Sequence, residues 1–404
     1  MSYLYVGYDA AVLVTSFQTS FQLPVSSHQL PVEVFMRHWL RVLAIAGILG
    51  ALVPAKAQEP TQPPLRLAIA GLVHGHVSGF LRGAQGRRDV EIVGIFDPDA
   101  ALLRQYGERY KLPETAQFTD LVVMLDRTKP EAVASFTNTY DHPAVVEAAA
   151  ARHIHVMMEK PLAVSNADGQ RIKRAAERGG VQVFVNYETT WYPSHGAIGT
   201  LIKEKKAAGE IRKMVAMDGH QGPKAINVQP EFFAWLSDPV KNGGGALYDF
   251  GCYGANLMTW LMDNQRPLGV TAITQHFQPA VYPRVDDEAT IVVEYPKAQG
   301  IIQASWNWPA SRKDLEVYAE RGLTIATGGN SLRVALPNEP DHVVTPDARA
   351  ADEHDSIAHL LAVARGKRKP NALSSLENNL IVTEILEAAR ESARTHQRVP
   401  LAAR

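Results

Sequence analysis

The sequence predicts an α/β protein with two parts: an N-terminal Rossmann domain on a parallel sheet, then a second α/β domain with a large open, mostly antiparallel sheet. Three observations carry this. From residue 65 to 185, short apolar runs alternate with helical stretches, the βαβ rhythm of a parallel sheet covered on both faces. Beyond residue 186, five β-type runs follow one another without intervening helices, as in antiparallel sheets. Residues with chemistry fall at the carboxyl ends of the early strands: Gly71, Asp97, Thr137, Glu159 with Lys160, and Asn186. Ligands on parallel sheets sit at those ends.

In chain order, the apolar run 65–70 reads as a strand, a glycine-rich turn follows, and 76–85 reads as a helix. A strand over 90–96 and a helix over 100–110 repeat the unit. Then come a short helix over 118–127, a strand over 132–136, a helix over 143–152 and a strand ending at Met158. A helix over 166–178 and a strand over 181–185 complete the domain. In the second part, 194–206 reads as a helix and 210–220 as a strand. The turn Gly243-Gly244-Gly245 leads into a helix over 248–262. Runs at 270–278, 289–295, 300–308, 315–320 and 323–327 read as the sheet, and a helix over 376–395 closes the chain.

The chain has 404 residues, of which 46% are hydrophobic and 21% charged, with a net charge of −1. That length suits two domains, and near-neutrality argues against nucleic acid as a partner. The single cysteine, Cys252, excludes an intramolecular disulfide or a multi-cysteine metal site. From Met36 a basic segment, an apolar run over 42–53 and Ala55-Lys56-Ala57 have the order of a secretory signal peptide. The apolar run falls short of the roughly 20 residues of a membrane span. The expected division is therefore 1–35 as an upstream extension, 36–57 as signal peptide and 58–64 as linker. The Rossmann domain takes 65–186 and the substrate domain 187–404, in a periplasmic or secreted protein.

Glu159-Lys160-Pro161 ends the strand at 154–158, so the backbone aims the Lys160 ammonium, with the proline favouring an extended residue before it. Gly71-Leu72-Val73-His74-Gly75-His76 stands where a dinucleotide fold places Gly-x-Gly-x-x-Gly. Only Gly71 matches well, since Val73 replaces the second glycine. Asp97 can accept from a ribose 2′-hydroxyl and repel a 2′-phosphate, which favours NAD over NADP; it could equally cap the next helix. His74 and His76 sit beside the cofactor, and the sequence offers no adjacent carboxylate to complete a metal site, so no metal is expected. Thr137, Asn138 and His142 are either helix caps or contacts to ribose and nicotinamide. In the second domain, Asp249 and Tyr253 are four apart and share a helix face. A lysine beside that tyrosine would lower the phenol pKa and make it an acid–base group.

The blocks Thr137-Asn138-Thr139-Tyr140-Asp141-His142, His155 through Ala163, Asn186, and Gly243 through Tyr253 together resemble the Gfo/Idh/MocA oxidoreductases over roughly 65–401. Where the family's helix carries Asp-x-Gly-x-His-x-x-Asp, this chain has Asp249-x-Gly251-x-Tyr253-x-x-Asn256. The resemblance implies bound NAD and hydride exchange at a hydroxyl-bearing carbon of a sugar or cyclitol. Lys160, Tyr253 and Asp249 are then catalytic. Gly71, His74, Gly75, His76, Asp97, Thr137, Asn138, His142, Glu159 and Lys160 hold the cofactor. Asn186, Tyr187 and Asn256 face the substrate. Export implies a tightly held cofactor recycled within one turnover. The alternatives are a glycosidase that oxidises, eliminates and re-reduces, and a binding protein on the same fold. The open sheet is expected to pair in a homo-oligomer.

Overall fold

Six short strands form the first sheet: β1 (Leu65–Ala70), β2 (Val90–Phe96), β3 (Gln117–Phe118), β4 (Ala132–Ser135), β5 (His155–Glu159) and β6 (Val183–Asn186). All are parallel, in the order β3-β2-β1-β4-β5-β6. The computed structural model describes residues 62–401. The expected signal peptide, the upstream extension and most of the linker lie outside the described residues. β4 is buried throughout and β1 nearly so, which explains their continuous apolar composition. The helices between strands begin at side-chain caps where the sequence supplies them. Asp99 accepts from the Ala101 and Leu102 amides, Asp120 from Val123, and Ser165 from Asp168. Strand order reverses between β1 and β4, the crevice where open α/β sheets bind ligands.

The second sheet has nine strands. They are β7 (Ile211–Gly219), β8 (Gly269–Gln275), β9 (Glu288–Glu294), β10 (Gln299–Ser305), β11 (Arg312–Ala319), β12 (Leu323–Thr327), β13 (Leu332–Ala335), β14 (His342–Val344) and β15 (Val399–Pro400). Apart from the parallel pair β7–β10, all neighbours are antiparallel. One face, with Met214, Ala216, Ile291, Val293, Ile302 and Ala304, is buried. The helix Gly251–Leu261 lies close on it: a Cβ on Gly254 would meet Ile302 at 2.7 Å and Ala216 at 2.9 Å. The opposite face keeps Val215, Met217, Val292 and Ile301 only half-buried. Among the described residues no helix is long and apolar enough to cross a membrane.

The expected helices and strands are present, with different ends. Several elements escaped the sequence pattern. β3, β13, β14 and β15 have four residues or fewer, too short to show a period. The helix Pro230–Leu236 starts on a proline at its first position. The stretch expected as one helix over 194–206 is Pro193–Ile198 followed by a wider π turn, Gly199–Glu204. After the second sheet the chain returns to the first. The helix Ser356–Ala364 buries Ile357, Leu360 and Val363 against it, and the Val185 amide donates to Ser374 O at 2.9 Å.

Candidate active site

At the β1–β4 crevice a cavity of about 320 Å³ is lined by Gly71, Val73, Phe96, Asp97, Thr137, Asn138 and neighbouring apolar side chains. Gly71 has φ +86°, and a Cβ there would meet the Thr137 backbone N at 2.6 Å, so this position needs glycine. Asp97 does not cap the following helix, since Asp99 does that. Its carboxyl oxygens accept from the Leu72 amide (2.8 Å) and the Asp99 amide (2.9 Å), which ties the first turn to β2. Burial pushes this carboxyl up, against those two amides. Each oxygen keeps a further lone pair and the side chain borders the cavity, so the carboxylate fits ribose hydroxyls. Asn138 is a cap: its Oδ1 accepts from the Asp141 amide and its Nδ2 donates to Asp141 Oδ2 at 2.6 Å. It still lines the cavity, as does Thr137.

The missing second glycine has a structural counterpart in the helix Pro230–Leu236, an element the sequence pattern did not reveal. Trp235 Nε1 donates to Val73 O at 3.1 Å. The His74 ring packs on Phe232 and Trp235 with centroids 4.9 and 5.5 Å apart. Gly75 lies so close to Phe232 that a Cβ would meet its ring at 2.8 Å. The turn is thus clamped by aromatic side chains from the second half of the chain. Burial, with His76 and Lys160 nearby, drives the His74 pKa well below the ordinary value.

His76 lies at the mouth of this turn, and Glu159 is the carboxylate the sequence did not place beside it. His76 Nδ1 is 3.0 Å from Glu159 Oε2, and Glu159 Oε1 accepts from Asn186 Nδ2 at 2.7 Å. Burial alone would raise the Glu159 carboxyl; His76, Asn186 and Lys160 outweigh it and hold it below the ordinary value. His74, His76 and Glu159 bring potential metal ligand atoms within 4.8 Å of one another. His74 Nδ1 accepts from the His76 amide and His76 Nδ1 pairs with Glu159, so only the Nε2 atoms of the two rings lie outside these bonds.

A second cavity, about 250 Å³, is lined by His76, Lys160, His220, Asp249, Phe250, Tyr253 and Lys313, among others. Lys160 follows β5 and is joined to Pro161 by a cis peptide. Its ammonium donates to Asp249 Oδ1 at 2.5 Å and to Asp249 O at 3.0 Å. Trp306 Nε1 donates to the other carboxylate oxygen at 2.9 Å. Burial would discharge both groups. Each outweighs that cost for the other, so Lys160 is held above the ordinary lysine pKa and Asp249 below the ordinary carboxylate range. A fixed positive charge therefore faces the cavity.

Tyr253 departs from the expected Lys–Tyr pair. Lys160 Nζ lies 5.0 Å from the ring centroid and Lys313 Nζ lies 4.9 Å from it, so both ammonium groups address the π face. Burial, with Glu188 next in weight, pushes the phenol well above its ordinary pKa instead of lowering it. The ring is a platform for two cations, and the ionised phenol is disfavoured.

Three other expected contacts take structural partners. Tyr187 is buried and meets the Tyr253 ring edge-on at 5.5 Å, supporting it from behind. Asn256 is buried and donates to Leu373 O at 2.7 Å, tying its helix to the segment before the last helix. His142 is buried and its Nδ1 lies 3.1 Å from Leu162 O, bracing the turn after Lys160. Asn186 remains at a cavity edge beside Glu159, with Trp191 donating to its Oδ1 at 3.0 Å.

Sequence reasoning missed His220, Lys313, Glu188 and Asp218. Lys313 pairs with Glu188, and the strand register sets Lys313 opposite Asp218. Asp218 is buried with neither carboxyl oxygen hydrogen-bonded, and burial drives its pKa well above the ordinary value. His220 Nδ1 accepts from the Gly222 amide at 2.8 Å. A histidine and a charge at paired strand ends were the available signal, but the partner of β7 lies about a hundred residues away in the chain.

A nucleotide-sized crevice at a parallel-sheet switch point, next to a fixed ammonium in a small pocket, defines the class: a dinucleotide-dependent oxidoreductase fold. Residues 65–187 match the oxidoreductase family with an NAD-binding Rossmann fold, and residues 199–324 match the Gfo/Idh/MocA C-terminal domain. The chain belongs to the Gfo/Idh/MocA oxidoreductase family. It is 28% identical over 155 residues to trans-1,2-dihydrobenzene-1,2-diol dehydrogenase of Xenopus laevis, covering 37% of this chain and 42% of that one. It is 29% identical over 114 residues to D-apiose dehydrogenase of Paraburkholderia graminis, covering 28% and 30%. These matches span less than two thirds of the relatives' own length. Among solved structures, an inositol dehydrogenase homolog of Azotobacter vinelandii complexed with NAD+ aligns with a TM-score of 0.72 at 19% identity, over 84% of this chain and 98% of that one. The aldose-aldose oxidoreductase of Caulobacter crescentus gives 0.70 at 22% identity, over 84% and 100%. At these identities the likeness shows the fold.

Proposed function

We propose that this protein transfers hydride between NAD and a hydroxyl-bearing carbon of a sugar, cyclitol or related carbohydrate. The observation that carries this is the Lys160 ammonium, held charged by Asp249 at the end of a Rossmann strand and facing a cavity of about 250 Å³. NAD supplies the hydride acceptor or donor when bound. Gly71, Asp97, Thr137 and Asn138 line the crevice that suits its adenosine half, and Asp97 favours NAD over NADP. Lys160 stabilises negative charge that develops on the substrate oxygen as its proton leaves. Asp249 keeps Lys160 charged and fixed, Tyr253 carries both lysines on its ring, and His220 offers an Nε2–H to a substrate oxygen. Names of relatives that act on apiose and a dihydrodiol support a vicinal-diol substrate class.

The order of residues 36–57 supports export, and with it a cofactor that stays bound and is recycled. The half-buried face bearing Val215, Met217, Val292 and Ile301 supports pairing of two copies through the second sheet. The test is to incubate purified protein with NAD and a panel of aldoses and cyclitols and follow NADH absorbance, with K160A as control. NADH formation that K160A abolishes supports the reading. Release of free sugar from an aryl glycoside without net NADH would replace it with the glycosidase. Failure to bind NAD at all would reject both.

A further inference from the structure

A hydroxyl that becomes a carbonyl gives up a proton, and the charge state of each neighbour limits where that proton goes. Lys160 is held protonated, the Asp249 carboxylate is held below its ordinary range by Lys160 and Trp306 and so is a poor proton acceptor, and the Tyr253 phenol is pushed up by burial. The histidines around Lys160 are sorted by their hydrogen bonds. His220 and His74 each accept a backbone amide at Nδ1, so their neutral rings carry hydrogen on Nε2 and present a donor. His142 donates from Nδ1 to Leu162 O, leaving a basic Nε2, but the ring is buried and borders neither cavity.

His76 differs. Its Nδ1 is 3.0 Å from Glu159 Oε2, and an ionised carboxylate only accepts, so the hydrogen is on Nδ1 and Nε2 has a free lone pair. Glu159 is itself 1% exposed and fixed by Asn186, while the His76 side chain is 42% exposed at the wall it shares with Lys160, Asp249 and Tyr253. A buried carboxylate that orients an imidazole and leaves its far nitrogen toward a pocket is the geometry of a general-base dyad.

We propose that His76, oriented by Glu159, is the general base that takes the substrate hydroxyl proton at Nε2 and returns it in the reverse direction. The inference rests on the oxidoreductase reading above. In the step, the C–H electron pair leaves as hydride to the nicotinamide, the O–H bond breaks, the carbonyl forms and the proton moves to Nε2. The imidazolium then faces Glu159. The other charged or titratable groups on the two cavities that His76 borders are Lys160 after β5, Glu188 after β6, His220 after β7, Asp249 and Tyr253 of the second domain's helices, Lys313 on β11 and Asp355 before the helix Ser356–Ala364, with His74 on its own turn.

Two readouts test it on the full chain. In long-range ¹H–¹⁵N spectra of the ¹⁵N-labelled protein, with and without NAD, the His76 ring is expected with hydrogen on Nδ1 and none on Nε2 at neutral pH. A ring protonated at Nε2 overturns the proposal without any substrate being known. With D-glucose, myo-inositol or methyl glucoside as hydride donor, H76Q is expected to lose about 100-fold or more in kcat with little change in KM. E159Q keeps an acceptor for Nδ1 but not the charge, and is expected to lose about tenfold or more. H76Q at wild-type kcat overturns the proposal. The kcat losses are read at saturating NAD, with its affinity for each variant measured by calorimetry, and are expected to persist there; losses that vanish at saturation overturn the proposal. Loss of NAD binding by the wild type would instead strike the oxidoreductase reading and leave the tautomer result standing.

Discussion

Replacing Lys160 by methionine leaves the Asp249 carboxylate, 5% exposed, with the Trp306 indole as its remaining side-chain partner. Removing one member of a buried ion pair costs about 3–5 kcal/mol, because the other charge stays desolvated. D249N leaves the equally buried Lys160 ammonium on the Asp249 backbone carbonyl, at a similar cost. If the two charges compensate each other, K160M/D249N is expected to be no less stable than the worse single variant. The coupling energy would then be about 3 kcal/mol or more, at the upper end of measured pairs. Urea unfolding of the full chain and both singles gives these values. Costs that add to within about 0.5 kcal/mol would refute the pairing. pH supplies a second check. Asp249 is depressed, so its contribution is present above the ordinary carboxylate range and lost as pH falls below about 4. Lys160 is raised, so its contribution is present below the ordinary lysine value and lost as pH rises beyond about 10.4. The coupling is therefore expected to be flat between those limits and to shrink outside them.

Y253F keeps the ring that carries Lys160 and Lys313 and removes only a phenol that burial disfavours as a base, so kcat is expected to fall less than about tenfold; a far larger loss would restore Tyr253 as the acid–base group. D97A removes the acceptor that ties the Leu72 and Asp99 amides together at the crevice. Calorimetry should show weaker NAD binding and a reduced preference over NADP; unchanged values would place the ribose elsewhere. N256A should cost about 0.5–1.5 kcal/mol in urea unfolding, since it removes the shortest hydrogen bond to Leu373 O while Asn379 Nδ2 still donates there at 3.1 Å. Its KM should not change, and a KM effect without a stability loss would return Asn256 to the substrate.

The fold was legible because parallel strands buried on both faces must be apolar runs, and their carboxyl ends bear the ligand residues whatever the loops do. Lys160 was found for that reason and Asp249 by its spacing from Tyr253, and the two proved to be each other's partner. The site's second wall was not legible. Phe232 and Trp235 come from a seven-residue helix, and Lys313 with Asp218 meet only through strand register between β7 and β11. Glu159 lay in the motif from the start, but its distance to His76 depends on β1 and β5 flanking β4 in the sheet. Residues 256 and 142 matched the motif by position, while the tertiary packing, which local pattern does not encode, gave them structural partners.

Direct hydride transfer is the most exposed claim. The measurement is to incubate the full chain and K160M with NAD and a set of carbon-deuterated sugars and cyclitols, then read deuterium in the nicotinamide by mass spectrometry. The account predicts deuterium in NADH from the wild type and none from K160M, with both proteins binding NAD. NAD that stays unlabelled with every carbohydrate tried, or transfer undiminished in K160M, would contradict it.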